Sequence, residues 1–190
     1  MRIVGGALRG RAIRGPDHPG LRPTADRVRE SVFNILMHGL GDFTLEGTDV
    51  LDLFAGTGAL GLEALSRGAR YCLFVDNAAE ARGVIRENIE QLGLSGATRI
   101  FRRDACDLGP AGKRDRYGLV FADPPYGESR GEEALRSAAL GGWLAPGAVA
   151  VLEERKGVEI VLSEHFEEFD RRTYGDTQVI FLRYAGGVST

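Results

Sequence analysis

The chain has 190 residues, 43% of them apolar and 27% charged, with a formal net charge of −3. That length suits one α/β domain with a full hydrophobic core and a small appendage. No apolar run reaches the ~20 residues that a membrane helix needs, and the opening MRIVGGALRGRAIRG carries no signal-peptide pattern, so a cytoplasmic location is expected.

Residues 1–23 are rich in Gly, Arg and Pro, and form an expected basic arm ahead of a main domain over 24–190. MRIVGG and RGRAIRG read as two short strands of a hairpin, with GPDHPG as a turn-rich loop. Residues 1–38 hold seven arginines against three acids, a local net of +4, which leaves −7 on the remainder. A basic arm on an acidic body is what phosphate contact by one end requires; a solvated terminus with no partner would carry the same pattern. A helix follows, capped by Thr24 or Asp26, with Val28, Val32, Phe33, Ile35, Leu36 and Leu40 as its apolar positions. Its Arg27 and Arg29 read as solvated charges or as contacts over a pocket.

From residue 48 strands and helices alternate. TDVLDLFA is a buried strand and GALGLEALSRGA a helix; RYCLFVD is a strand and AAEARGVIRENIEQLGL a helix ended by Gly93. TRIFR and DRYGLVFADPP hold further strands, SRGEEALRSAALGGWL a helix, and GAVAVLE a fifth strand. EIVLSEHF is expected as a short helix, before two closing strands joined around Gly175 and Asp176. Repeated β-α units with right-handed crossovers imply a Rossmann-like, doubly wound parallel sheet. Cys72 and Cys106 fit no metal-ligand spacing and read as buried thiols, and the three histidines form no cluster.

Two turns carry chemistry. In VLDLFAGTGALGLEAL a buried strand ends, glycines follow at 56, 58 and 61, and a helix begins. Gly56 and Gly58 allow a sharp turn with a ligand against the backbone, Gly61 allows close helix–strand packing, and the helix N-terminus offers free amides. Asp76, 20 residues after Gly56, is placed to bind ribose hydroxyls. The pattern serves a nicotinamide dinucleotide or S-adenosylmethionine (SAM). Asp52, an acid before the glycines, and Asp104 after the third strand tilt it toward SAM: one for the amino-acid end, the other for the adenine amine. Asp104 reads equally as a helix cap. The second turn is Asp123-Pro124-Pro125-Tyr126, delivered by the strand Leu119 to Ala122 at the same sheet edge. Two prolines fix φ and remove two donors. What remains is rich in acceptors beside an aromatic ring, which suits a planar substrate bearing an NH2 group.

Together these segments resemble class I SAM-dependent methyltransferases, and within them the RsmD-like family of ribosomal RNA guanine-N2 methyltransferases. The resemblance rests on RIVGGALRGR, RPTADRVRESVFNIL, LDLFAGTGALGLEALSRGA, FADPPY and the late YGDT at Tyr174 to Thr177. It implies a seven-stranded sheet with the last strand antiparallel and an N-terminal hairpin extension. It implies SAM held by Asp52, Phe54, Ala55, Gly56, Gly58, Asp76, Asp104 and Ala105. Guanine would be taken by Asp123, Pro124, Pro125 and Tyr126, and phosphates met by Arg9, Arg11 and Arg14. It also implies 16S rRNA, free or in an assembling small subunit, as the partner, with no metal; a monomer is expected. A DNA adenine-N6 methyltransferase shares DPPY but would need a target-recognition domain. An NAD-dependent oxidoreductase shares the glycine loop but lacks a Tyr–Lys or His group for hydride chemistry. A non-catalytic RNA-binding module would leave SAM unconsumed.

Overall fold

Along each central strand, successive side chains enter two different cores. Val50, Cys72, Phe74, Leu119, Phe121, Val149, Val151, Val179 and Phe181 meet helices on one face of the sheet. Leu51, Leu53, Leu73, Val75, Val120, Ala122, Ala150, Leu152, Ile180 and Leu182 fill the other. Such near-continuous apolar strands are the mark of a sheet covered on both sides. The computed structural model describes residues 1–15 and 22–186, with side chains from Ala25 onward in the second segment. Most of GPDHPG and the side chain of Thr24 lie outside the described residues.

The strands are β1 (Asp49–Leu53), β2 (Tyr71–Val75), β3 (Thr98–Phe101), β4 (Tyr117–Ala122), β5 (Leu144–Arg155), β6 (Phe166–Tyr174) and β7 (Thr177–Tyr184). The helices are α1 (Arg22–His38), α2 (Ala59–Ser66), α3 (Ala79–Leu92) and α4 (Arg130–Leu140). The sheet order is β3-β2-β1-β4-β5-β7-β6. β1 to β5 pair in parallel, and β7 runs antiparallel to both β5 and β6, as the sequence reading expects of the last strand. Strand order reverses at β1, between β2 and β4, which opens a crevice at the C-terminal edge where open α/β sheets take ligands. In register, Leu53 lies beside Val75 and Ala122, so the turns after β1, β2 and β4 emerge side by side. Arg155 at the end of β5 pairs with Thr177 at the start of β7, which brings the YGDT turn to the same edge.

The structure corrects three expectations. α1 begins at Arg22, so positions 24 and 26 lie inside the helix and not at its cap. Residues 159–165 form no helix. Ile160 and Leu162 pack against the second core while Val161 stands 71% exposed. That alternation has the period of an extended chain, not of a helix turn. Cys106 is only half-buried, whereas Cys72 is fully enclosed. Burial raises both thiols above their ordinary value, Cys106 to about 11.

The N-terminal segment forms a hairpin with a β-bridge at Arg2 and Ala12 and backbone bonds from Ile3 N–H to the Arg11 carbonyl and from Ile13 N–H to the Met1 carbonyl, with Ile3 and Ile13 sunk into the first core. Its main anchor is Glu63 of α2, a carboxylate with no solvent exposure. Glu63 accepts backbone N–H bonds from Val4 (2.9 Å) and Gly5 (2.8 Å), and pairs with Arg29 of α1 (3.3 Å) and Arg67 (2.9 Å). Arg29 also donates to the carbonyl of Arg2 and to Asp26, so it is a buried tie and not a solvated charge. A second clasp is Asn88 of α3, fully buried, which exchanges hydrogen bonds with the Arg14 backbone and donates to the Thr57 carbonyl in the glycine loop.

Removing one member of a buried charge cluster leaves its partners uncompensated, at a cost of about 3–5 kcal/mol. Glu63→Ala is expected to lower the unfolding free energy by about that amount, read from urea titration. An equal loss in Arg9→Ala, on the exposed hairpin turn, would show that the buried cluster is not the source.

Candidate active site

The glycine loop begins with strain. Phe54, directly after β1, holds φ at +54°, a left-handed conformation that non-glycine residues rarely adopt and that clusters at functional sites. Gly58 caps α2 at φ +78°. A Cβ on Gly61 would stand 2.5 Å from Cys72 Sγ and Phe74 Cε1, so only glycine lets α2 lie this close to β2. On Gly56 the nearest atom would be 3.9 Å away, and that side of the loop is open. Two acids brace the loop. Asp52 accepts from the N–H of Gly61 (3.0 Å), and Asp76 accepts from those of Gly56 (3.0 Å) and Ala78 (2.9 Å).

Beside the loop lies a cavity of about 510 Å³, whose walls include Asp52, Phe54, Gly56, Asp123, Tyr126 and Glu153. Met1 of the hairpin, Val28, Arg29 and Val32 of α1, and Tyr174 and Thr177 close its other sides. A neighbouring cavity of about 440 Å³ shares Phe54 and Asp123, and adds Asp76, Asn77, Pro124, Pro125 and Arg130. The glycine loop and the proline turn, 65 residues apart at Asp123 and Gly58, therefore face one another across shared walls.

The DPPY turn is held from behind. Glu154, buried at the end of β5, accepts from the Gly127 N–H (3.1 Å). The Tyr126 hydroxyl sits 3.0 Å from Thr177 Oγ1 and 3.5 Å from Glu153 Oε1. Burial raises the Tyr126 phenol to about 12. Burial and the nearby Glu154 raise Asp123, and burial and Asp123 raise Glu153. Asp123 keeps an exposed edge on the cavity mouth.

Of the residues expected from sequence, Asp52, Phe54, Ala55, Gly56, Asp76, Asp123, Pro124, Pro125 and Tyr126 line these two cavities. Gly58 lies beneath the loop. Asp104 does not line either cavity: its Oδ1 caps the short turn at Cys106 (2.9 Å) and pairs with Arg130 (3.0 Å), and Ala105 is buried. Arg11 and Arg14 turn toward α3, on the Gln91 carbonyl and Glu87, while Arg9 is exposed on the hairpin turn. Glu153, Glu154, Thr177 and Arg130 carry no sequence-derived role. A pair of acids near the end of an apolar strand is the signal that could have found the first two. Arg130, whose guanidinium lies 5.8 Å over the Phe54 ring, had no such signal.

Asp52 is raised well above the carboxylate range, first by burial and further by Asp123 and Asp76, against the lowering Gly61 N–H. Crowded acids beside a strained, open loop fit a ligand that carries positive charge, as the sulfonium and ammonium of SAM do, because a cation relieves their mutual repulsion.

A family described as conserved hypothetical protein 95 matches residues 1–183. The ribosomal RNA small subunit methyltransferase D of Escherichia coli K12 is 39% identical over 153 residues, 80% of this chain and 74% of that one. Its namesake from Haemophilus influenzae is 31% identical over 177 residues, 92% and 89% of the two chains. The solved E. coli protein yhhF, a candidate methyltransferase, superposes with a TM-score of 0.82 at 29% identity, covering 98% of this chain and 99% of that one.

An acid whose folded-state value is raised binds its proton more tightly folded than unfolded, so its ionisation costs stability as pH rises above the ordinary value of ~4. Asp52→Asn keeps an acceptor for Gly61 and removes the charge. It is expected to raise the urea midpoint at neutral pH, with the gain shrinking toward pH ~4, and to weaken SAM binding in calorimetry. Unchanged SAM affinity would remove Asp52 from the ligand site.

Proposed function

The chain belongs to the conserved hypothetical protein 95 family, that of the ribosomal RNA small subunit methyltransferase D proteins, and from that membership we propose that it transfers a methyl group from SAM to the exocyclic N2 amine of a guanine in small-subunit (16S) rRNA. The observation that carries the reading is the convergence of the strained glycine loop and the proline turn on shared cavity walls at Phe54 and Asp123.

When bound, SAM supplies an electrophilic methyl group on sulfur. Asp52, Phe54, Ala55, Gly56, Gly58 and Asp76 would hold it, with Asp104 and Ala105 behind Arg130 at the adenine end. The task left to the chain concerns the amine, whose lone pair is delocalised into the guanine ring. The Asp123 carboxylate and the carbonyls of a turn stripped of two donors accept its N–H bonds, raise electron density on nitrogen and hold the lone pair in line. Positioning of this kind supplies much of a rate enhancement. Acceptors placed where positive charge develops supply more. Tyr126, half-buried and tied to Thr177, offers its ring as one wall for the base. The proton released from nitrogen passes to Asp123, with Glu153 beside it as a second carboxylate. A base inside structured RNA must be met unpaired or flipped out to reach this cavity. Arg9, Arg11 and Arg14 on the hairpin are the proposed phosphate contacts.

The test is transfer of labelled methyl from SAM to small subunits lacking their methylations, followed by nucleoside analysis, with protein-free 16S RNA and duplex DNA in parallel. Label in N2-methylguanosine is expected; label only in N6-methyladenine from DNA would overturn the reading. Asp123→Ala is expected to lower kcat by about 10²-fold or more while calorimetric SAM affinity is retained. Because Asp123 and Glu153 are both raised, they protonate above the ordinary carboxylate range. Methyl transfer at saturating substrate should therefore fall between about pH 8 and about pH 5, well before ordinary carboxylates near ~4 titrate. A rate flat across that window would exclude a raised acid from the rate-limiting step.

A further inference from the structure

A third cavity, of about 530 Å³, lies on the α1 face of the sheet edge, between α1 and β6. Ser31, Asn34, Ile35 and His38 line it from α1, and Arg172, Thr173 and Tyr174 from β6. The four helix positions are spaced i, i+3, i+4, i+7, so they form one stripe along α1. Arg27, one turn before Ser31, extends that stripe toward the cofactor side, where Val28 and Arg29 line the methyl-transfer cavity. Tyr174 belongs to both cavities, and its hydroxyl lies 2.7 Å from Ser31 Oγ. The groove is therefore a continuation of the mouth where the target base enters.

Its chemistry is polar and rich in donors: three hydroxyls, an amide, an imidazole and a guanidinium. Arg172 gives two nitrogens to Asp170 Oδ2 (3.1 Å); its side chain is 55% exposed, and its third nitrogen has no partner among the described residues. Asn34 and His38 are exposed as well. Such a set suits the phosphate oxygens and 2′-hydroxyls of a single strand. A nucleotide adjoining a base held against Asp123 leaves the mouth past Tyr174. The hairpin, with Met1 at the opposite wall of the same mouth, meets the strand from the other side.

We propose that the α1–β6 groove binds the sugar-phosphate chain of the nucleotides next to the methylated base, with Arg172, Asn34 and His38 as its contacts. This rests on the rRNA methyltransferase reading. The groove and the hairpin then grip the RNA on two sides of the pocket, and α1 connects them through Arg29 to Arg2 and through Ser31 to Tyr174.

The test uses the full chain with undermethylated small subunits and SAM. Wild-type methylation is measured first; its absence would sink the underlying reading before any variant is compared. With it present, Arg172→Ala and the double variant Asn34→Ala/His38→Ala are each expected to raise KM for the subunit at least about fivefold, with kcat and calorimetric SAM affinity unchanged. For Arg172→Ala the slope of log affinity against log salt should become shallower by about 0.7 to 0.9, the change for one lost phosphate contact. Arg114→Ala, on the loop entering β4 at the opposite sheet edge, should leave all of these unchanged. A wild-type KM and salt slope in both groove variants would overturn the proposal. So would a fall in SAM affinity or thermal midpoint that accounts for the higher KM, because the groove residues would then be structural.

Discussion

Glu63 is the constraint on which the rest of the molecule depends. It sits on α2, the helix that opens with the glycine loop, yet its carboxylate is spent on the N-terminal hairpin, on α1 through Arg29, and on Arg67. A carboxylate removed from water is tolerated only when charge and hydrogen bonds replace its solvation. Here two guanidinium groups and two backbone amides do so. The consequence is mechanical: the helix behind the glycine loop, the helix over the pocket and the basic hairpin share one rigid node. Met1 and Arg29 can then serve as walls of the methyl-transfer cavity, although neither lies near Asp123 in the chain.

Acids are used in two ways around the pocket. Asp52, Asp76 and Glu154 each spend oxygens on backbone N–H groups, and so fix the two turns that face the ligand. Asp123 and Glu153 present carboxylates to the cavity itself, where burial raises both, helped by the charge of Glu154 at Asp123 and of Asp123 at Glu153. A site built this way is preorganised in its backbone and unsatisfied in its charge. That combination suits a cationic donor and an amine that gains positive charge as it reacts.

The two ends of the chain reach the site by different routes. The hairpin arrives by docking on α2 and α3. The YGDT turn arrives because β7 is antiparallel: entering the sheet opposite Arg155, it must start at the edge where β5 ends. The turn from β6 into the reversed β7 thus delivers Thr177 to Tyr126 and Tyr174 to Ser31, and joins the base pocket to the groove along α1.

Much of this was written in local pattern. Alternating apolar runs fixed the strands and their two-sided burial, glycines at 56, 58 and 61 marked the loop, and Pro124-Pro125 marked the facing turn, because each requirement acts within a few residues. The expected helix over 159–166 failed for the same reason in reverse: its apolar residues answer to a distant core, which favoured an extended path. Arg29 illustrates what local pattern cannot hold. On the helix it looks like any surface charge, and only distant partners, Glu63 34 residues away and the Arg2 carbonyl, make it a buried tie. Glu153, Thr177 and Arg130 likewise acquire neighbours at the site through strand register and helix packing. The sequence by itself determined the fold class, the two ligand-facing turns and the acids that end β1, β2 and β4. Tertiary structure alone decided which charges are buried, which acids brace and which face the cavity, and where the chain's ends meet the pocket, since burial and charge pairing are properties of neighbours that the chain brings together only on folding.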